Sequence, residues 1–225
     1  MRMPRDAAEA VTLQHRLRHR VVSDAPLPAP PRLVAGLDVS YESSSAGGRI
    51  AGAVVVLHLP DLSIAESVTS IGTCDFPYVP GLLAFREVPI LLSALEKLTV
   101  TPDVLVCDGY GIAHPRRFGL ACFLGVTTGL PAFGVAKTPF VGTFDEVPDE
   151  RGAFTPLVHE GETVGRALRT QRGVKPVFVS PGHLIDMDDS TGLALRLALR
   201  YRLPETTRRA DRLSRDALRE ALSSA

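Results

Sequence analysis

The spacing of apolar residues along the 225-residue chain changes period several times. Residues 5–22 alternate as an amphipathic helix with a basic side. "DAPLPAPPRL" (24–33) then breaks the periodicity, and a proline-rich linker is placed at 23–31. Short apolar runs follow. "RLVAGLDVSY" (32–41), "RIAGAVVVLHL" (49–59) and "LSIAESVTSIG" (62–72) are three strands, the first two joined by the turn "SSSAGG" and the last two by "PD". Connections this short predict an antiparallel meander. Leu82, Phe85, Val88, Leu91, Leu92 and Leu95 then recur at helical spacing.

Beyond this helix the pattern alternates. "PDVLVCDGYG" (102–111) is a strand, "RRFGLACFLGVTTG" a helix and "LPAFGVAKT" a strand. Residues 140–176 look irregular with short strands, "PVFVSPGH" (176–183) is a further strand, and "DDSTGLALRLALRY" and "PETTRRADRLSRDALREAL" are two closing helices. A meander followed by alternating helices and strands predicts an α/β fold: a mixed sheet covered on its faces by helices. No repeat and no change of composition divides the chain, so residues 1–225 are expected to form one domain.

Composition narrows the function classes. Hydrophobic residues make up 45% and charged residues 22%, ordinary for a soluble globular chain. Lys plus Arg and Asp plus Glu number 25 each, so no global basic field draws in nucleic acid. Phosphate binding would rest on local patches such as "HRLRHR" (15–20) and "TTRRADRLSR" (206–215), which read equally as solvated helix faces. Phe118–Ala136 holds no charge and nears membrane-spanning length, but "TTGLP" (127–131) stops a helix and starts a new element. The start lacks an apolar signal segment, and Cys74, Cys107 and Cys122 lack metal-ligand spacing. A reduced, cytoplasmic protein without a membrane span is expected.

The candidate chemistry lies in acids set among apolar residues. Asp38 sits inside "VAGLDVSY" and Asp108 ends "VLVCD". A carboxylate in a buried strand is costly unless paired, hydrogen-bonded or metal-bound. Singly, each is better explained as a turn cap or an arginine partner. Together with Glu87 on the following helix, they form a hard oxygen donor set suited to magnesium or manganese. No GxxxxGK[ST] loop or GxSxG elbow competes, and His114, His159 and His183 are not spaced as a zinc set.

Several stretches also resemble the endonuclease V family, deoxyinosine-directed repair nucleases with a ribonuclease H-like fold. They are "VAGLDVSY", "FPYVPGLLAFREVP", "VCDGYGIAHPRRFGLACFLG", "GVAKTPFVG" and "VSPGHLID", and the likeness runs from about residue 5 to 220. The resemblance implies a five-stranded mixed sheet, the meander plus parallel strands. It implies that Asp38 and Asp108 bind Mg2+ directly, with Mn2+ able to substitute, and that Glu87 binds the metal or its water. Lys137 would steady the phosphate charge or the water, and His114 would lie near the scissile phosphate. Pro77, Tyr78, Val79 and Pro80 would form a wedge tipped by Tyr78, filling the gap left by a flipped base. Gly81, Leu83, Gly109 and Leu120 would line the base pocket. Arg86, Arg116 and the 208–215 cluster would contact phosphates, and His183 the substrate.

Two departures from the family pattern stand out. Asp211 occupies a position where relatives often carry histidine, adding a fourth carboxylate for metal. "LLAF" lacks an expected serine before the phenylalanine. The implied activity is hydrolysis of the second phosphodiester 3′ to deoxyinosine in DNA, leaving 3′-hydroxyl and 5′-phosphate ends, by a monomer. Two alternatives remain: cleavage of inosine-containing single-stranded RNA, and a non-cleaving inosine- or mismatch-binding module.

Overall fold

The computed structural model describes residues 3–42 and 47–224. The turn expected at 43–48 lies mostly outside them. The meander forms as read: β1 (Leu33–Tyr41), β2 (Gly48–His58) and β3 (Ile64–Cys74) pair antiparallel. β4 (Val104–Asp108) then pairs parallel with β1, and β5 (Ala132–Ala136) parallel with β4. The sheet does not stop at five strands. β6 (Phe154–His159), β7 (Glu162–Leu168) and β8 (Val177–His183) extend it antiparallel beyond β5, giving the order β3-β2-β1-β4-β5-β8-β7-β6. The 140–176 segment looked irregular because its strands are short and polar. β6 is the sheet edge, mostly exposed, and carries Pro156, whose missing N–H is tolerated there.

Helices cover both faces, as the alternation predicted. α1 (Ala7–Leu17), α2 (Ala84–Leu95) and α3 (Leu120–Thr128) pack one face over Ala35, Leu37, Leu105 and Cys107. α4 (Met187–Leu197) and α5 (Glu205–Ser223) cover the other over Val34, Val104 and Val106. The amphipathic N-terminal helix ends at Leu17, short of the expected 22, in one 3-10 turn over Arg18–Arg20.

Gly36 sets the distance between α5 and β1. A Cβ there would lie 2.2 Å from the Thr206 carbonyl carbon. Only glycine lets helix backbone approach the strand this closely. The approach brings the later α5 residue Ser214 to Asp38.

Candidate active site

β1, β4 and β5 are parallel, so their carboxyl ends share one edge, where open α/β sheets place ligands. Leu37 is in register with Cys107, and Asp108 with Val135. Asp38, Asp108 and Lys137 therefore emerge side by side. Lys137 Nζ donates to Asp108 Oδ2 at 2.9 Å. Ser214 Oγ donates to Asp38 Oδ2 at 3.0 Å, and Tyr41 donates its hydroxyl to Glu87 Oε1 at 3.0 Å. Glu87 reaches this edge from the first turn of α2 and is buried.

Lys137 offsets the charge of Asp108, while burial makes charge at Asp38 and Glu87 costly. Burial, and next the nearby Asp108, push the Asp38 carboxyl up to about 6. Burial and Asp38 push Glu87 up to about 8. Among the described residues no group of three His, Cys, Asp or Glu side chains already stands as a metal-holding set. Asp38, Glu87 and Asp108 each give an oxygen to a protein donor instead. Their all-oxygen chemistry nevertheless fits a hard divalent cation.

A pocket of about 240 Å³ opens beside Glu87 and Asp108. The 76–83 loop forms one wall. Leu82 N–H donates to Val79 O, Phe85 N–H to Leu82 O and Arg86 N–H to Leu83 O, winding the loop into α2. Pro77 precedes this winding, and Pro80 takes the second position of the Val79–Leu82 turn, where its fixed φ is favoured. Phe76 stacks near Phe85 (5.7 Å between ring centres), and Phe85 near Phe123 (5.2 Å), fixing the loop base in the core. Tyr78 stands at its crest, 62% exposed. Gly81, Leu83, Gly109 and Leu120, the residues expected around a base, line the pocket, and so do the wedge residues Val79 and Pro80.

Three groups were not expected from the sequence: Phe140 in the pocket wall, and Tyr41 and Ser214 beside the acids. Phe140 is partly exposed and packs against Tyr110 (5.3 Å) and His114 (5.6 Å), making a second aromatic wall. The signal was present in "AKTPF", where an aromatic follows the strand-end lysine by three residues. Tyr41 and Ser214, the donors to Glu87 and Asp38, had no local signal because their contacts span distant chain positions.

Two expected roles are corrected, those of Arg86 and His183. Arg86 is 3% exposed, donates to Phe76 O at 2.6 Å and lies 5.0 Å from the Tyr41 ring, so it holds the loop base and cannot reach a phosphate backbone. His183 pairs with Ala132, at the end of β5 opposite Lys137, and its Nδ1 accepts from Val22 N–H at 3.2 Å. It fastens the chain after α1 and does not line the pocket. His114 lines the pocket, but both ring nitrogens are engaged. Nε2 donates to Gly81 O (2.9 Å) and Nδ1 accepts from the Arg116 N–H (3.2 Å). Burial, and next Arg116, hold its imidazole at about 4, so it is neutral and props the loop.

Arg116 is likewise tied to Gly81 O, at 2.8 Å. Asp211 pairs with Arg215 on the same helix, and no hydrogen bond joins it to the other three acids. It lies in an open groove beside Arg208, Arg212 and Arg215, so the 208–215 cluster does present guanidinium groups to solvent.

The fold and its acidic edge define a class: a mixed α/β protein with strand-end carboxylates beside an aromatic-walled pocket. The endonuclease V family model matches residues 15–212. The endonuclease V of Nocardia farcinica is 55% identical over 219 residues, covering 97% of this chain and 96% of the relative. The solved endonuclease V of Streptomyces avermitilis is 51% identical with a TM-score of 0.93, covering 98% and 96% of the two chains. The Ciona intestinalis endonuclease V, solved with a 24-mer DNA containing an inosine followed by a ribo-adenosine, is 26% identical with a TM-score of 0.82, covering 95% and 98%.

The chain belongs to the endonuclease V family. Its fold is that of the solved endonuclease V structures, a mixed α/β sheet with eight strands among the described residues. Among the described residues no helix is long and apolar enough to cross a membrane.

Proposed function

We propose that this protein is a metal-dependent repair endonuclease that flips deoxyinosine from DNA and hydrolyses the second phosphodiester on its 3′ side, leaving 3′-hydroxyl and 5′-phosphate ends. One observation carries the reading: an aromatic-walled pocket opens directly beside two of three clustered carboxylates, Glu87 and Asp108. A base-sized recess next to a hard-cation donor set supports extraction of a base beside the cleaved backbone. Likeness to the Ciona protein, which binds inosine-containing DNA, supports the choice of base.

Asp38 and Asp108 would hold the metal and Glu87 the metal or its water. A bound magnesium or manganese ion supplies an activated water and stabilises the leaving oxygen. Lys137 screens charge at Asp108 and can turn toward a phosphate oxygen. Asp211 is available as a fourth carboxylate if its pair with Arg215 opens. Tyr78 fills the vacated stack, and the backbone around Gly81 and Gly109 reads the base edge. Hypoxanthine offers an O6 acceptor beside an N1–H donor, the reverse of adenine. The protein would act as a cytoplasmic monomer.

Asp38→Ala or Asp108→Ala should abolish cleavage while sparing binding to an inosine duplex in a gel-shift assay. Full activity in either variant would overturn the assignment. Matched DNA and RNA oligonucleotides test the ribonucleotide alternative, which the ribo-adenosine in the Ciona ligand keeps in view.

A further inference from the structure

The Gly81 carbonyl, at the exit of the Tyr78 loop, accepts from three side chains: Gln14 Nε2 (3.0 Å), His114 Nε2 (2.9 Å) and Arg116 Nη2 (2.8 Å). A carbonyl oxygen has two lone pairs, so this one is saturated. Gln14 comes from α1, far from the carboxylates in sequence, and is fully buried. Its amide also donates to Phe118 O at 3.1 Å, and its Oε1 accepts from Arg116 Nε. Gln14 thus joins α1, the pocket loop and the segment before α3 through one side chain. Gly81 itself is left-handed, with φ +79, and a Cβ there would meet Arg116 Nη2 at 2.6 Å. The loop exit is therefore fixed by conformation and by hydrogen bonds together, directly after Pro80. Gln14 does not line the pocket and cannot touch a base in it.

We propose that Gln14, acting with Arg116, is a positioning residue that stiffens the Tyr78 loop against the load of opening a base stack. This rests on the base-flipping reading above. A fully buried amide that satisfies a loop carbonyl from a remote helix resists displacement, because moving the loop would strand several buried polar groups at once. The load exists only where bases must be unstacked and unpaired, and it is smallest in a single strand. The role therefore predicts a difference between substrates, which general loss of folded enzyme would not produce.

The test compares cleavage of one deoxyinosine strand, paired and unpaired, in magnesium, under single-turnover conditions. Gln14→Met keeps side-chain length and removes the hydrogen bonds; Arg116→Gln removes the guanidinium at a partly buried position. Each should slow duplex cleavage by about tenfold or more, as loss of positioning does. Single-strand cleavage should stay within a small factor of wild type. The double variant should be little worse than the poorer single, since the two act as one unit. Equal losses on both substrates, or none on either, would overturn the proposal. If Gln14→Met fails to fold by circular dichroism, Arg116→Gln decides alone by the same ratio. A wild type that cuts neither strand would instead remove the endonuclease reading and this role with it.

Discussion

Tyr78 and His114 show how differently two aromatic side chains serve one pocket. Tyr78 is exposed and supported from below, so Tyr78→Ala should leave folding stability within about 0.5 kcal/mol of wild type. Inosine-duplex cleavage should fall by about an order of magnitude or more, because a propping side chain is lost. Urea unfolding and a cleavage time course check the two halves. His114 is 3% exposed and held neutral, its pKa depressed to about 4 by burial and Arg116. The unfolded chain takes up the proton first as pH falls. Its contribution is therefore complete above the ordinary histidine pKa and is lost between about 6.5 and 4, amounting to roughly 3 kcal/mol. Unfolding of His114→Gln and wild type at pH 7 and pH 4.5 should show wild type losing more on acidification. The difference between the two proteins isolates this residue from Asp38 and Glu87, whose raised values give the opposite slope.

Elements place these residues, and the sequence told more about some elements than others. The meander, α2 and the parallel pair β4–β5 follow from clean apolar periodicity, and Asp38 and Asp108 stood out because an acid in such a run is conspicuous. β6 and β7 were hard to assign because their alternation is interrupted by charged residues and Pro156. Arg86 looked like a phosphate contact because its burial depends on how the proline loop folds under α2, which a linear pattern does not show. His183 sat in a stretch that resembled the family, and only the register of β8 against β5 reveals that it faces the wrong end of the sheet. Gly36→Ala probes the element level directly. Its Cβ would collide with the Thr206 backbone, so the cost should reach the upper end of about 1–3 kcal/mol. Activity should fall with it, since α5 would carry Ser214 away from Asp38. Unchanged stability in chemical denaturation would contradict the close packing of α5 on β1.

At the scale of the molecule, the sheet gathers negative charge at one edge and holds it there at some cost in stability. Asp38→Asn should stabilise the metal-free protein at neutral pH, because it removes a carboxylate that burial and the neighbouring Asp108 both disfavour. Magnesium should raise the melting temperature of wild type, as a ligand of the folded state does, and should do so far less for Asp38→Asn. A melting temperature indifferent to both magnesium and the substitution would contradict the shared metal role of these acids. The neutral overall charge fits a protein that relies on local contacts, and α5 lines an open groove with Arg208, Arg209, Arg212, Arg215 and Arg219.

The most direct measurement is a gel assay on a labelled duplex with a single deoxyinosine. The same duplex with adenine runs beside it, each with magnesium and with EDTA. The account predicts one nick, at the second bond 3′ to the inosine, only where inosine and magnesium are both present. Cleavage of the adenine duplex at the same rate, or no cleavage of the inosine duplex with magnesium, would contradict it.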